Sequence, residues 1–348
     1  MRVSYLVTLK ASGKQFTVGA DETLLEAAFH QGVNLPYGCK NGACGSCKGK
    51  ILEGQVIHGE HSEGALSRAD ETAGAILFCC AHPQSDLLIE AREVQGNSDI
   101  AIRKVPCRVN TILKPSSDVA ILKLQLPASE RFQFLAGQYI EFLLKDGQRR
   151  AYSIATAPDQ EGPLELHVRH TPGGIFTDFV FGAVEPSLKE KDILRFEGPM
   201  GSFFLREDSK KPIIFVAAGT GFAPIKAIIE QMRLKQIDRS IHLYWGGRRS
   251  SDLYMDELCR LWEAEMPNLT YIPVLSDALP EDHWSGRSGF VHLAAMADHP
   301  DMASFQVYSC GAPIMVNAAR QDFSSICRLP EDEFFADSFT SAADLVAN

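Results

Sequence analysis

No run of apolar residues in this chain approaches the ~20 that a membrane-spanning helix needs. The opening Met-Arg-Val-Ser-Tyr-Leu also lacks the apolar core of a secretory signal. Basic residues are in deficit: 34 Lys and Arg stand against 44 Asp and Glu, for a formal net charge of -10. Phosphate backbones require a cationic face, so nucleic acid is disfavoured as a partner. A disulfide framework is missing too, because the nine cysteines are odd in number and Cys107, Cys259, Cys310 and Cys327 are scattered. Scattered thiols suit a reducing compartment, so the expected location is the cytoplasm, with no membrane partner. Internal repeats and low-complexity segments are likewise absent. What is present is 348 residues, 45% hydrophobic and 22% charged, ample for two or three globular domains.

The remaining cysteines are not scattered. Tyr37 to Lys50 places Cys39, Cys44 and Cys47 in the spacing C-x4-C-x2-C, interleaved with Gly38, Gly42 and Gly45, and Cys79-Cys80 follows downstream. This is the plant-type [2Fe-2S] spacing. Glycines let a loop wrap a cluster and bring backbone N–H groups against its sulfurs. Zinc is the competing occupant, but structural zinc sites favour paired knuckles, whereas here one loop offers three thiols and a distant segment the fourth. The spacing leaves open whether Cys79 or Cys80 is that fourth ligand.

Periodicity divides the chain into three parts with a short linker. Residues 3–10 and 15–19 read as a hairpin, Thr23 to Glu26 as a capping box opening a helix that ends at Gly32, and residues 51–57 as a strand interrupted at Gly54. With the cysteine loop they make an α+β β-grasp unit, residues 1–94. Val94 to Ala101 is rich in turn formers, giving a linker at 95–102. Residues 103–207 hold six short strand-like runs and one short helix near Phe176 to Phe181, an antiparallel β-barrel pattern. From 208 to 348, strands such as Pro212 to Ala218 alternate with helices, as in an α/β doubly wound sheet. The fold class is therefore multidomain.

Two further motifs carry chemistry. In the barrel, Arg150-Ala151-Tyr152-Ser153 and Gly173-Gly174-Ile175-Phe176-Thr177 combine a cation for a diphosphate, a ring for stacking and a hydroxyl donor. In the last part, Gly219-Thr220-Gly221-Phe222-Ala223-Pro224 follows a strand and opens a helix, where a phosphate-cradling turn belongs. The third glycine of the usual dinucleotide fingerprint is replaced by Pro224, and Gly246-Gly247-Arg248-Arg249 stands where an acidic residue ends the second strand. A 2′-phosphate on the nucleotide is thus not excluded.

The order of these motifs, ending in Cys310-Gly311, resembles the ferredoxin-NADP reductase superfamily with a fused N-terminal ferredoxin, over nearly the whole chain. Within it the chain looks closest to CDP-6-deoxyglucoseen reductases and to reductase components of phenol and aromatic-ring oxygenases. Phe335-Ala336-Asp337-Ser338-Phe339 also resembles related flavin reductases.

The resemblance implies Cys39, Cys44, Cys47 and Cys79 as cluster ligands, with Cys80 an unligated buried thiol. It implies Arg150 at the FAD diphosphate, Tyr152 on the isoalloxazine, Ser153 near the flavin N5, and His167, Val168, Gly174 and Thr177 around the rest of FAD. Gly219, Thr220, Gly221 and Pro224 would hold the pyrophosphate of NADH (NADPH being possible), with Gly247 and Arg248 near its adenosine half. Cys310 and Gly311 would border the nicotinamide, which makes Ser153 and Cys310 the catalytic pair. The implied activity is NAD(P)H-dependent reduction of FAD, then of the cluster, then of an acceptor protein, a sugar dehydratase or an oxygenase component, docking near the cluster loop. A ferredoxin-like carrier or a cluster-based redox sensor without reductase turnover are the alternatives.

Overall fold

The computed structural model describes residues 4–94 and 100–339. Most of the expected linker, 95–99, lies outside these residues, as does everything after Phe339. Its first part pairs β1 (Ser4–Leu9) with β2 (Gln15–Gly19) as the expected hairpin. α1 (Leu24–His30) starts on a full capping box: Glu26 N donates to Thr23 Oγ1 at 3.2 Å and Thr23 N to Glu26 Oε2 at 3.1 Å. After the cysteine loop come β3 (Lys48–Glu53), β4 (Val56–His58), α2 (Arg68–Thr72), β5 (Ala75–Leu77), β6 (Ala81–Pro83) and β7 (Leu87–Glu90). The main sheet runs β2-β1-β7-β3-β5, and β4 and β6 form a separate ribbon. Leu24, Leu25, Ala27 and Ala28 bury the inner face of α1, and Leu25 N bonds Phe78 O at 2.9 Å, tying the helix to the segment that carries Cys79.

The second part holds β8 (Arg103–Leu113), β9 (Val119–Gln125), β10 (Tyr139–Leu143), β11 (Arg149–Ser153), β12 (Leu164–Arg169) and β13 (Ile193–Met200), all paired antiparallel in the order β11-β10-β13-β8-β9-β12. A bridge between Ile154 and Leu166, with Ala155 N on Glu165 O at 2.8 Å, joins the two edges and closes the barrel. α3 (Ile175–Phe181) sits at its end and buries Phe176, Thr177 and Val180.

The third part alternates β14 (Ile213–Ala218), α4 (Phe222–Leu234), β15 (Ile241–Gly247), α5 (Asp256–Glu265), β16 (Leu269–Leu275), β17 (Arg287–Ser288), α6 (Val291–Asp298), β18 (Gln306–Gly311), α7 (Pro313–Ser325) and β19 (Phe334–Ser338). Its parallel sheet runs β17-β16-β15-β14-β18-β19. Strand order reverses between β14 and β18, which opens a crevice at their carboxyl ends. α5 begins only at Asp256, because the Asp252 carboxylate first accepts Arg248 N at 2.7 Å and Arg249 N at 3.1 Å and fixes a separate turn. Among the described residues no helix is long and apolar enough to cross a membrane.

Candidate functional site

The cysteine loop lies between α1 and β3. Lys40, Gly42 and Gly45 adopt positive φ (60°, 77° and 68°), which folds the chain back on its own thiols. Cys44, Cys47, Cys79 and Cys80 are buried and Cys39 is half-buried. The thiols form two pairs. Cys39 is hydrogen-bonded to Cys44, and Cys47 Sγ lies 3.2 Å from Cys79 Sγ, with Cys80 Sγ a further 3.4 Å away. Backbone N–H groups converge on them: Cys39 N and Ser46 N each lie 3.4 Å from Cys44 Sγ, and Gly42 N donates to Cys79. The Cys39 thiol, backed by Ser46, brings Cys44 down to about 6, and the Cys47 and Cys80 thiols bring Cys79 down to about 4. One acidified thiol in each pair, with donors already aimed at sulfur, fits a group that takes two thiolates on each of two irons.

Next to the loop is a cavity of about 1330 Å³. Single-ligand pockets usually hold about 300–1,000 Å³, so this one exceeds what a single ligand needs. Arg150, Tyr152, Ser153, His167, Gly174 and Thr177 line one half, and Gly219, Thr220, Gly247 and Arg248 the other. The Tyr152 ring stands 5.3 Å from Phe176 and 6.0 Å from Phe142. The Arg150 guanidinium is set by Arg149 O at 2.8 Å and Gln148 Oε1 at 2.6 Å. Thr177 Oγ1 donates to Thr171 O at 2.8 Å, so its hydroxyl shapes the Gly173-Gly174 turn. His167 is fully committed, with Nε2 3.0 Å from Glu165 and Nδ1 2.7 Å from the Tyr254 hydroxyl, and its side chain is buried in the cavity wall.

Five expected residues do not line the cavity. Val168 points into the barrel core, opposite to His167 along β12. Gly221 and Pro224 are buried behind the turn, where a Cβ on Gly221 would lie 2.1 Å from Cys310 O. Cys310 itself is fully buried in the core of the parallel sheet, which pushes its thiol up, and Gly311 packs beside Gly221.

Other residues take positions that the motifs did not mark. Arg169, two places after His167 on the same strand face, stands over the glycine turn, its guanidinium 2.6 Å from where a Gly219 Cβ would be. It pairs with Asp118 at 2.8 Å and with Asp252. Asp337, on β19, accepts Ser153 Oγ at 3.3 Å; burial and the neighbouring Cys44 push its carboxyl up to about 7. Phe290 lines the nucleotide end and is 64% exposed, with its ring near-parallel to that of His292 at 6.1 Å between centroids. The wall also includes Gly38, Cys39 and Asn41, so the cluster loop itself closes the flavin half of the cavity. Tyr139 OH donates to Gly38 O at 2.9 Å and Ser202 Oγ to Tyr37 O at 2.8 Å, fixing the loop against the barrel.

Comparison with known proteins agrees with this geometry. Residues 7–84 match the 2Fe-2S iron-sulfur cluster binding domain, 106–205 the oxidoreductase FAD-binding domain and 215–321 the oxidoreductase NAD-binding domain. The CDP-6-deoxy-L-threo-D-glycero-4-hexulose-3-dehydrase reductase of Yersinia pseudotuberculosis is 41% identical over 97% of this chain and 99% of its own length. The phenol hydroxylase P5 protein of Acinetobacter pittii is 36% identical over 98% and 96%. Among solved structures, the Amycolatopsis cytochrome P450 reductase GcoB superposes with a TM-score of 0.74 at 32% identity, covering 97% of this chain and 99% of that one. The chain belongs to the iron-sulfur flavoprotein reductases of the ferredoxin-NAD(P) reductase type, oxidoreductases in which a [2Fe-2S] ferredoxin domain accompanies FAD- and NAD-binding domains.

Proposed function

We propose that this chain takes electrons from NADH and delivers them singly to a separate acceptor enzyme, through FAD and then the [2Fe-2S] cluster. The observation that carries this reading is the shared wall: Cys39 lines the same cavity as Tyr152, Ser153, Gly219 and Thr220. When bound, FAD supplies the conversion from a two-electron hydride donor to a one-electron carrier. The protein's part is placement. Tyr152 offers the flavin a ring, Ser153 a hydroxyl beside its reactive edge, and Arg150 a cation for its diphosphate. Gly219, Thr220 and Arg169 surround the nicotinamide nucleotide's pyrophosphate, with Gly247, Arg248 and Phe290 toward its adenosine. Cys310 and Gly311 act from behind Gly221, setting how deeply the nicotinamide enters.

Cys39, Cys44, Cys47 and Cys79 are the cluster ligands in this reading, and the functional units are 1–94, 103–207 and 208–348, joined by 95–102. The acceptor docks near the cluster loop, Cys39 to Cys47. The higher identity to the dehydrase reductase favours a nucleotide-sugar dehydrase as acceptor. The superposition on a P450 reductase supports an oxygenase as the second reading.

Anaerobic stopped-flow mixing of the holoprotein with NADH tests the route. Flavin bleaching should precede cluster bleaching, and Cys44→Ser should keep the first phase and lose the second. Cluster reduction with no flavin phase would overturn it.

A further inference from the structure

α7 and β19 both contribute to the cavity wall, and they also cover the cluster loop. Ser46 Oγ donates to Ala336 O at 2.8 Å, and Gly64 approaches α7 so closely that a Cβ there would lie 2.7 Å from Asn317 Nδ2. One helical turn beyond Asn317 stands Arg320. Its guanidinium carbon lies 4.8 Å above the Phe334 ring, and its Nε is buried without a hydrogen-bond partner. A cation in that position is costly unless opposite charge is close. Burial works against its charge, and the groups that favour it are Cys44, Glu331 and Cys47. Two of these are thiols of the cluster loop, contributed by a different domain from Arg320.

We propose that Arg320 is a counter-ion of the [2Fe-2S] cluster, supplied across the domain interface, that favours the reduced cluster and raises its reduction potential. This rests on the cluster assignment made above. With four thiolates the oxidised site is a dianion, and the single electron arriving from the flavin makes it a trianion. A fixed positive charge attracts the second state more strongly. Arginine keeps its charge at any working pH, so the bias is constant, and it acts only while α7 is docked on the loop. The interface thereby links domain closure to the direction of electron flow: the cluster is the better acceptor when the nucleotide domain is in place.

The test uses the holoprotein and its Arg320→Gln, Arg320→Met and Arg320→Lys variants. Each is titrated with a chemical reductant and redox dyes, with the cluster followed by its paramagnetic signal and the flavin by absorbance. The neutral variants should give a more negative cluster potential while the flavin potential stays within a smaller shift, and Lys should retain most of the wild-type value. Met fills the volume over Phe334 and keeps the reading available where Gln does not hold the cluster. Unchanged potentials in a fully loaded neutral variant, or an equal shift in the Lys variant, would overturn the role of Arg320. Absence of any [2Fe-2S] signal in the wild-type protein would instead overturn the assignment on which it rests.

Discussion

Gly42 is held at φ +77°, and a Cβ on it would meet Cys80 Sγ and His61 Cβ at 2.8 Å and Glu60 O at 2.7 Å. The left-handed backbone alone costs a side chain about 1–2 kcal/mol. The contacts add a displacement of the loop that carries the Gly42 N–H away from Cys79. Gly42→Ala should therefore lower cluster absorbance per mole of protein while leaving FAD content and flavin reduction by NADH intact. Gly13 is a matched control, with φ +70° and nothing within 4 Å of its added Cβ, so alanine there should cost stability only and no iron. The need for glycine at position 42 was legible from the cysteine spacing, because thiols so close in sequence can share one site only if the chain reverses. The position of Arg169 was legible in principle: strand alternation puts it on the face of His167 and turns Val168 away. Asp337 lies inside the stretch Phe335 to Phe339 that resembles flavin reductases, but its role was not legible, since its partner Ser153 is 184 positions distant.

At the scale of elements, the connection after β15 bears on which nucleotide is preferred. The paired arginines leave room for a 2′-phosphate on paper. In the structure Arg249 is occupied: its Nε donates to Asp282 at 2.6 Å and its Nη2 to Glu281 at 3.2 Å, while Ser250 Oγ also donates to Asp282 at 2.6 Å. Hydrogen bonds from Ser250 and Leu279, together with Arg249, hold the Asp282 carboxyl well below its usual range. A 2′-phosphate arriving here meets an arginine already neutralised and two carboxylates. NADH should therefore be preferred, and the paired change Glu281→Gln with Asp282→Asn should raise kcat/KM for NADPH relative to NADH, measured by flavin reduction. An unchanged ratio would place discrimination elsewhere, at Arg248. Elements with continuous apolar runs, such as β14, or with a cap, such as α1, were readable in advance. β19 was not, because its five buried residues include Asp337 and Ser338 and need the neighbouring ferredoxin and barrel domains to explain their burial. β17, two exposed residues long, has no pattern to read.

Across the whole molecule, the cavity exists only while three domains stay in register, and the barrel and nucleotide domain are joined by buried charge. Lys226 on α4 is 5% exposed; its Nζ donates to Ala155 O at 3.0 Å and lies 3.2 Å from Glu165 and 2.9 Å from Glu230. Burial works to raise the Glu165 carboxyl, but the His167 hydrogen bond and the Lys226 charge prevail and hold it at about 2. A carboxyl lowered by folding contributes stability that is complete above its ordinary pKa near 4.5 and is lost as pH falls toward 2. The wild-type interface should accordingly be insensitive to pH between 5 and 8 so far as Glu165 is concerned. Lys226→Met leaves Glu165 and Glu230 facing each other across the seam without the intervening cation. Breaking a buried pair in this way costs about 3–5 kcal/mol. The variant should melt at lower temperature at pH 7, bind NADH more weakly because Arg169 and the glycine turn lose their register, and recover part of the loss at pH 5 as a carboxyl takes up a proton. The double variant Lys226→Met with Glu165→Gln should recover at pH 7 what the single variant recovers only in acid. Melting curves at the two pH values, read beside the KM for NADH, separate this from a general loss of packing, which would respond neither to acid nor to the second substitution.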